Sequence, residues 1–247
     1  MGHRTESGLT PEEVFQTSTP APNGYANSKY LAEQILDYAG QKAQGRNLSI
    51  SIARVGQVAG AVRARGLWNK AEWFPSMVPS SLHVGAVPED IGSLGRVDWV
   101  PVDLVAEVLV ALAIGENPDR RTVDVFHPHN LHPITWDAIR PVVFETLSTY
   151  TGKPLDVVPF RTWIQRVRAD IAAGGSTIGE DLQVSLEKNP AAKLLNFFDD
   201  MASGSKAENF FDTKRTAERS NKLRAVEAVQ PEWLRKWVKE WLGDAQV

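Results

Sequence analysis

The stretch Gly24-Tyr25-Ala26-Asn27-Ser28-Lys29-Tyr30-Leu31-Ala32-Glu33 constrains this chain more than any other. It follows a Pro-, Thr-, Ser- and Gly-rich loop that ends Pro20-Ala21-Pro22-Asn23-Gly24. The spacing of Tyr30, Leu31, Gln34, Ile35 and Tyr38 predicts a helix over about Tyr25–Gln44, with Gly45 as its stop. On such a helix positions i and i+4 share a face, so Tyr25 and Lys29 reach one pocket together. A cation beside a phenol favours the phenolate, which suits a tyrosine for proton exchange with a carbonyl or alkoxide oxygen. The small residues Ala26, Ser28 and Ala32 let the helix pack closely. Leu48–Ala53 alternates and reads as the next strand, and Arg54–Gly66 follows as a loop freed by Gly56, Gly60 and Gly66.

Further along, a helix or broken helix is expected over Trp68–Leu82, an extended piece over Val97–Val102, and a helix over Asp103–Gly115 capped by Asp103. Thr122–Phe126 reads as a strand, Thr135 as the cap of a helix through Tyr150, Leu155–Phe160 as extended and Arg161–Ala173 as an amphipathic helix. Short helices are expected over Asn189–Met201 and Pro231–Leu242. The last one places Trp233, Trp237 and Trp241 at i, i+4 and i+8, a stripe expected to dock on the core.

The Tyr-x-x-x-Lys stretch resembles the Tyr-Lys helix of extended short-chain dehydrogenases/reductases. More narrowly, the chain resembles the thioester reductase domains that end fungal nonribosomal peptide synthetases and adenylate-forming reductases. Other segments carry the likeness too. They are Ile52-Ala53-Arg54-Val55-Gly56-Gln57-Val58-Ala59-Gly60, Trp68-Asn69-Lys70-Ala71-Glu72-Trp73-Phe74-Pro75-Ser76 and Val97-Asp98-Trp99-Val100-Pro101-Val102-Asp103. Val125-Phe126-His127-Pro128 leading to Trp136, and Asn189-Pro190-Ala191-Ala192-Lys193-Leu194-Leu195, complete the set.

The resemblance implies an α/β chain: an incomplete Rossmann-like fold lacking the N-terminal nucleotide-binding strands, plus a mainly helical substrate subdomain. Residues 1–66 would be the Rossmann-like remnant with the Tyr-Lys helix. Residues 67–247 would be a mixed substrate-binding and C-terminal subdomain with returning Rossmann elements. The implied chemistry is reduction by NADPH of a carrier-bound thioester to an aldehyde or alcohol. Tyr25 would donate the proton, and Lys29 would support it and hold the nicotinamide ribose. Arg54, Val55, Gly56 and Gln57 would lie beside the cofactor or substrate.

One departure qualifies this. No G-x-G-x-x-G or G-x-x-G-x-x-G occurs, and Gly56-Gln57-Val58-Ala59-Gly60 opens no helix. The chain therefore reads as a C-terminal portion of a reductase that binds NADPH weakly or not at all by itself. Two other readings stand beside it: a redox-independent enzyme using Tyr25 and Lys29 as acid and base, and a non-catalytic docking module for a carrier protein. The Leu48–Ala53 strand would keep an open edge and an uncovered apolar face, which invites a homodimer through that edge, a swap of elements or a rearrangement that covers it.

Composition narrows the classes. Among 247 residues, 27 Lys+Arg against 30 Asp+Glu leave a net charge of −3, which argues against a nucleic-acid footprint. The absence of cysteine removes thiol nucleophiles and Cys-based zinc sites. The longest apolar run, near Val105–Ile114, is too short to cross a bilayer, so a cytoplasmic protein is expected. His127-Pro128-His129-Asn130-Leu131-His132 reads as a strand end and loop rather than a metal site. Lys214, Arg215, Arg219, Lys222 and Arg224 form a modest basic patch, read as a solvated face with an acidic carrier protein as the sharper alternative. Trp68, Trp73 and Phe74 are expected in the core.

Overall fold

The computed structural model describes residues 9–17, 23–43, 48–66, 68–115, 123–173, 186–204 and 210–243. In chain order the elements begin with α1 (Gly24–Lys42), β1 (Ile50–Ala53), β2 (Val58–Ala59), α2 (Trp73–His83), β3 (Ala86–Pro88), β4 (Arg96–Val97) and β5 (Val100–Pro101). They continue with α3 (Val102–Ile114), β6 (Val123–Phe126), β7 (Ile134–Thr135), α4 (Trp136–Thr151), β8 (Asp156–Val158) and α5 (Phe160–Ala173). A 3₁₀ turn (Pro190–Leu194), α6 (Leu195–Ala202), α7 (Lys214–Arg219), α8 (Asn221–Arg224) and α9 (Pro231–Leu242) complete them. The chain is α/β, and its contacts divide it into two compact units that exchange segments. One comprises residues 1–58, 99–132 and 209–227, and the other residues 59–98, 133–208 and 228–247.

The first unit is the Rossmann-like one. β1 and β6 run parallel with Ile50 opposite Val123 and Ala53 opposite Phe126. Parallel neighbours require a long crossover, and the intervening chain provides it with α3. Val105, Val108 and Leu112 of α3, at helical spacing, are buried with Val100, Phe126, Leu223 and Val226. The cap expected at Asp103 falls on Pro101, and Asp103 lies in the first turn, where its charge complements the helix dipole.

Helix α1 begins at Gly24 because Asn23 caps it, its side-chain oxygen accepting the Ala26 N–H at 2.8 Å. The expected stop at Gly45 lies outside the described residues. The polarity of α1 is inverted relative to an ordinary surface helix. Its inward side carries Tyr30, Glu33 and Gln34. Tyr30 donates to the Thr17 carbonyl at 3.0 Å, and Gln34 to the Phe15 carbonyl at 2.7 Å. Its outward side carries Tyr25, Leu31, Ile35, Leu36 and Tyr38, with Ile35 68% exposed. Polar contacts rather than apolar burial hold this helix down.

The second unit is built on aromatic packing. Trp68 meets Trp237 and Trp241 edge-on, both at 5.3 Å between ring centroids, and Phe74 meets Trp241 at 5.5 Å. Such tilted contacts suit aromatic quadrupoles. Trp68, Phe74, Trp237 and Trp241 are buried, so two of the three α9 tryptophans dock on the core as their spacing implied, while Trp233 is only partly buried. Trp73 is only partly buried. The indole of Trp237 donates to the Ala61 carbonyl at 3.1 Å, and Lys70 donates to the Trp241 carbonyl at 2.9 Å near the end of α9. β3 pairs with β8 in parallel and β4 with β7 antiparallel. The short strands β3 and β7 carry no alternating pattern long enough to be read from the sequence.

Gly60 shows how tight this core is. A Cβ there would lie 2.7 Å from the Trp237 ring, which is fully buried and cannot swing away. Gly60→Ala should therefore destabilise the chain by about 1–3 kcal/mol. Urea unfolding followed by tryptophan fluorescence measures this, and an unchanged midpoint would show that α9 can shift without cost.

Candidate active site

Tyr25 and Lys29 lie on the opening turns of α1. The Lys29 ammonium sits 5.4 Å from the centroid of the Tyr25 ring, within cation–π range. Tyr25 is 75% exposed, so its phenol is open to a bound molecule. The sequence spacing thus brings these two side chains together as a pair.

The loop after β1 is held by different contacts. The Arg54 guanidinium makes a two-pronged ion pair with Glu33 of α1, Nε to Oε1 at 2.8 Å and NH2 to Oε2 at 2.6 Å. NH2 also donates to the Glu13 carbonyl at 2.9 Å. NH1 donates to the Pro11 carbonyl at 3.3 Å and to His127 Nε2 at 3.1 Å. A guanidinium has five N–H groups, and each has a protein acceptor here. Its carbon lies 4.1 Å from the centroid of the Phe15 ring.

Val55 is partly exposed. Gly56 packs against His129, whose Nδ1 would lie 2.6 Å from an added Cβ, and the His129 ring stacks on Phe211 at 4.5 Å. The Gln57 carbonyl accepts from the Val100 N–H at 3.0 Å, and its side chain donates to the Val58 carbonyl at 3.0 Å.

Behind Arg54 lies a buried polar network that the sequence did not reveal. His127 is fully buried at the end of β6. An arginine can only donate, so His127 Nε2 accepts, and Nδ1 carries the proton it gives to the Asp212 carbonyl at 2.7 Å. The His127 backbone N–H donates to Thr216 Oγ1 at 2.7 Å. Glu12, also buried, accepts from the backbone N–H groups of Arg215 at 2.5 Å and Thr216 at 2.8 Å, and from the Thr216 hydroxyl. Burial pushes the His127 imidazole down to about 4, and the charge of Arg54 adds to that. Burial raises Glu12 above the usual carboxylate value. Glu33 was within reach of sequence reasoning, standing one turn beyond Lys29. His127 and Glu12 were not, since their partners are distant in the chain.

Lys214, Lys222 and Arg224 of the basic patch are exposed, and Arg215 and Arg219 are half-buried. Lys222 pairs with Glu107 at 2.8 Å, Arg219 with Asp124 at 3.4 Å, and Arg215 donates to the Glu12 carbonyl at 2.6 Å. Among the described residues, no helix is long and apolar enough to cross a membrane.

A parallel strand pair with a Tyr-x-x-x-Lys helix beside it and a glycine-containing loop after the first strand is the arrangement that the short-chain-reductase resemblance implies. Comparison with known proteins makes this specific. The NAD-binding family model described as male sterility protein matches residues 3–109. A carboxylic acid reductase of Neurospora crassa is 30% identical over 96% of this chain and 22% of its own length. Adenylate-forming reductase Nps11 of Serpula lacrymans is 30% identical over 98% of this chain and 22% of its own. The terminal R domain from the myxalamid PKS-NRPS biosynthetic pathway shares the fold, with a TM-score of 0.67 at 19% identity over 100% of this chain and 55% of that one. Over nearly its whole length the chain is similar to these two reductases, and it shares its fold with a terminal R domain. It spans about a fifth of the length of these two curated relatives.

The buried imidazole makes stability depend on pH in a defined direction. Unfolded histidine takes up its proton near pH 6.5, whereas folded His127 waits until about pH 4. Between these values the unfolded state binds more protons, so stability falls with acidification by up to about 3 kcal/mol. The raised Glu12 acts in the opposite sense, gaining stability as it protonates. A comparison with His127→Asn isolates the imidazole. The gap in urea midpoint between wild type and this variant should narrow from pH 7 to pH 4.5, and a constant gap would exclude a neutral buried imidazole.

Proposed function

We propose that this chain carries the Tyr-Lys part of an NADPH-dependent thioester reductase that releases a carrier-bound acyl or peptidyl group as an aldehyde or alcohol. One observation carries the reading: an exposed phenol and an ammonium side by side at the start of a helix that is tied to the strand-end loop. The relatives' descriptions as reductases support it. The chemistry that NADPH supplies when bound is a hydride for the thioester carbonyl carbon. Hydride on that carbon would let the C–S bond break, the thiolate leaving with its electron pair and taking a proton from solvent to give the aldehyde; in a second reduction the aldehyde oxygen would keep a proton from Tyr25 to give the alcohol. Tyr25 gives its phenolic proton to the substrate oxygen, and Lys29 brings positive charge to that phenol and donates to the ribose hydroxyls. Val55, Gly56 and Gln57 line the nicotinamide side. With this chemistry, the compartment we infer is the cytoplasm.

The residues fit the nicotinamide-ribose end of the cofactor and not its pyrophosphate. Tyr25 and Lys29 present an exposed hydroxyl and ammonium. The sequence has no Gly-rich turn opening a helix, the feature that puts several N–H groups on a pyrophosphate. Calorimetric titration of the chain with NADPH should therefore show weak binding that Lys29→Ala removes. A dissociation constant at or below about 1 μM would contradict this division of the site. Where turnover of an acyl thioester is measurable, Tyr25→Phe should lower it about 100-fold or more. Retained turnover would remove Tyr25 from the mechanism.

The homodimer belongs to the same reading. Among the described residues β1 is hydrogen-bonded on one side only, to β6, and α1 beside it turns Leu31, Ile35 and Tyr38 outward. A second copy offers a matching strand edge and a matching apolar face. Light scattering should show a dimer for the wild type and a monomer for Leu31→Glu/Ile35→Glu. A monomeric wild type would sink this part.

A further inference from the structure

We infer that Arg54 is a positioning residue that clamps the Tyr25/Lys29 helix to the strand end, and that His127 sets the plane of its guanidinium. This deepens the proposed reading of the site and rests on it. It also gives Arg54 a task different from direct cofactor contact.

The first argument is saturation. All five N–H groups of Arg54 end on protein acceptors contributed by four places in the chain: Pro11, Glu13, Glu33 and His127. A guanidinium so engaged has no donor left for a phosphate, ribose or carbonyl. The Phe15 ring against its face adds a further restraint.

The second argument is the inverted polarity of α1. A helix with an apolar inward face is held in place by burial, which is non-directional. Here the inward face is Tyr30, Glu33 and Gln34, and the shortest of its anchors is the two-pronged Glu33–Arg54 pair. Both members are largely buried, with 15% side-chain exposure each. A paired fork fixes distance and direction together, which a lysine cannot reproduce. Glu33 lies one turn beyond Lys29, so fixing Glu33 fixes the turns that present the phenol and the ammonium.

The third argument is His127. Its imidazole must be neutral and must hold its proton on Nδ1 to accept from Arg54, and the Asp212 carbonyl enforces that tautomer. The Thr216 hydroxyl fixes its backbone. Among the groups facing this assembly, Arg54 is a cation, Glu33 an anion, and Glu12 and Asp212 stand behind His127. The chain of contacts runs Thr216–His127–Arg54–Glu33–α1.

The absence of cysteine makes the test clean. Spin labels on Gln41→Cys and Val110→Cys, both exposed and outside the proposed dimer face, in labelled chain diluted with excess unlabelled chain, report the distance between α1 and α3 without substrate. The wild-type background should give one narrow distribution. Arg54→Lys should broaden it, as should Glu33→Gln if Arg54→Lys folds poorly. Imidazole ¹⁵N spectra should show His127 as the neutral Nδ1–H tautomer at pH 7, with an Nε2 resonance that moves in Arg54→Lys. A narrow distribution retained in folded Arg54→Lys and Glu33→Gln, or an Nε2–H tautomer in the wild type, would overturn the clamp. In a thioester reduction assay Arg54→Lys should lower kcat about tenfold with KM for NADPH nearly unchanged. A rise in KM with unchanged kcat would instead return Arg54 to cofactor binding. If Tyr25→Phe keeps full turnover, the reading of the site fails while the distances and the tautomer still judge the clamp.

Discussion

The first unit depends on one saturated guanidinium. Arg54 stands where β1 ends, and its backbone N–H continues the pairing of that strand by donating to the Phe126 carbonyl at 2.9 Å. Its side chain then gathers the N-terminal segment, helix α1 and the end of β6 onto a single planar group. Removing a buried, fully paired charge leaves several acceptors without donors, including the carboxylate of Glu33, and that is why such groups are costly to break. His127 and Glu12 continue the network inward, each shifted by burial in the direction that disfavours its charge.

The two units are held by different physics. In the second, edge-on tryptophan and phenylalanine contacts and the close approach of Gly60 to Trp237 make a dense apolar interior. In the first, α3 supplies an apolar stripe to a smaller core, but α1 is fastened by hydrogen bonds and an ion pair and shows its apolar side outward. Directional contacts suit a helix whose side chains must stand at a set place. An apolar core suits an element that only has to stay.

Function follows from that division. In the proposed reading Tyr25 and Lys29 need exposure to meet a substrate, and exposure removes the burial that would otherwise hold their helix. The polar fastening further along α1, through Tyr30, Glu33 and Gln34, resolves the conflict. The loop Val55–Gln57 runs from β1 to β2 and packs on His129 and Val100, with the Gln57 side chain donating to the Val58 carbonyl.

Much of this was legible in the residues themselves. The α1 helix, the β1 and β6 strands and the α9 tryptophan stripe follow from periodicity, because period and face are local properties of a helix or strand. The pairing of Tyr25 with Lys29 follows from i, i+4 geometry alone. The role of Arg54 was not legible in this way. Its residue type and its place after a strand suit a cofactor contact as well as a clamp, and Glu33 and His127 stand 21 and 73 residues from it in the chain. The same holds for Glu12 and Thr216, 204 residues apart. Local spacing decides which side chains share a face. Only the tertiary structure decides which distant charges meet, because their energy depends on burial and direction that no local pattern carries.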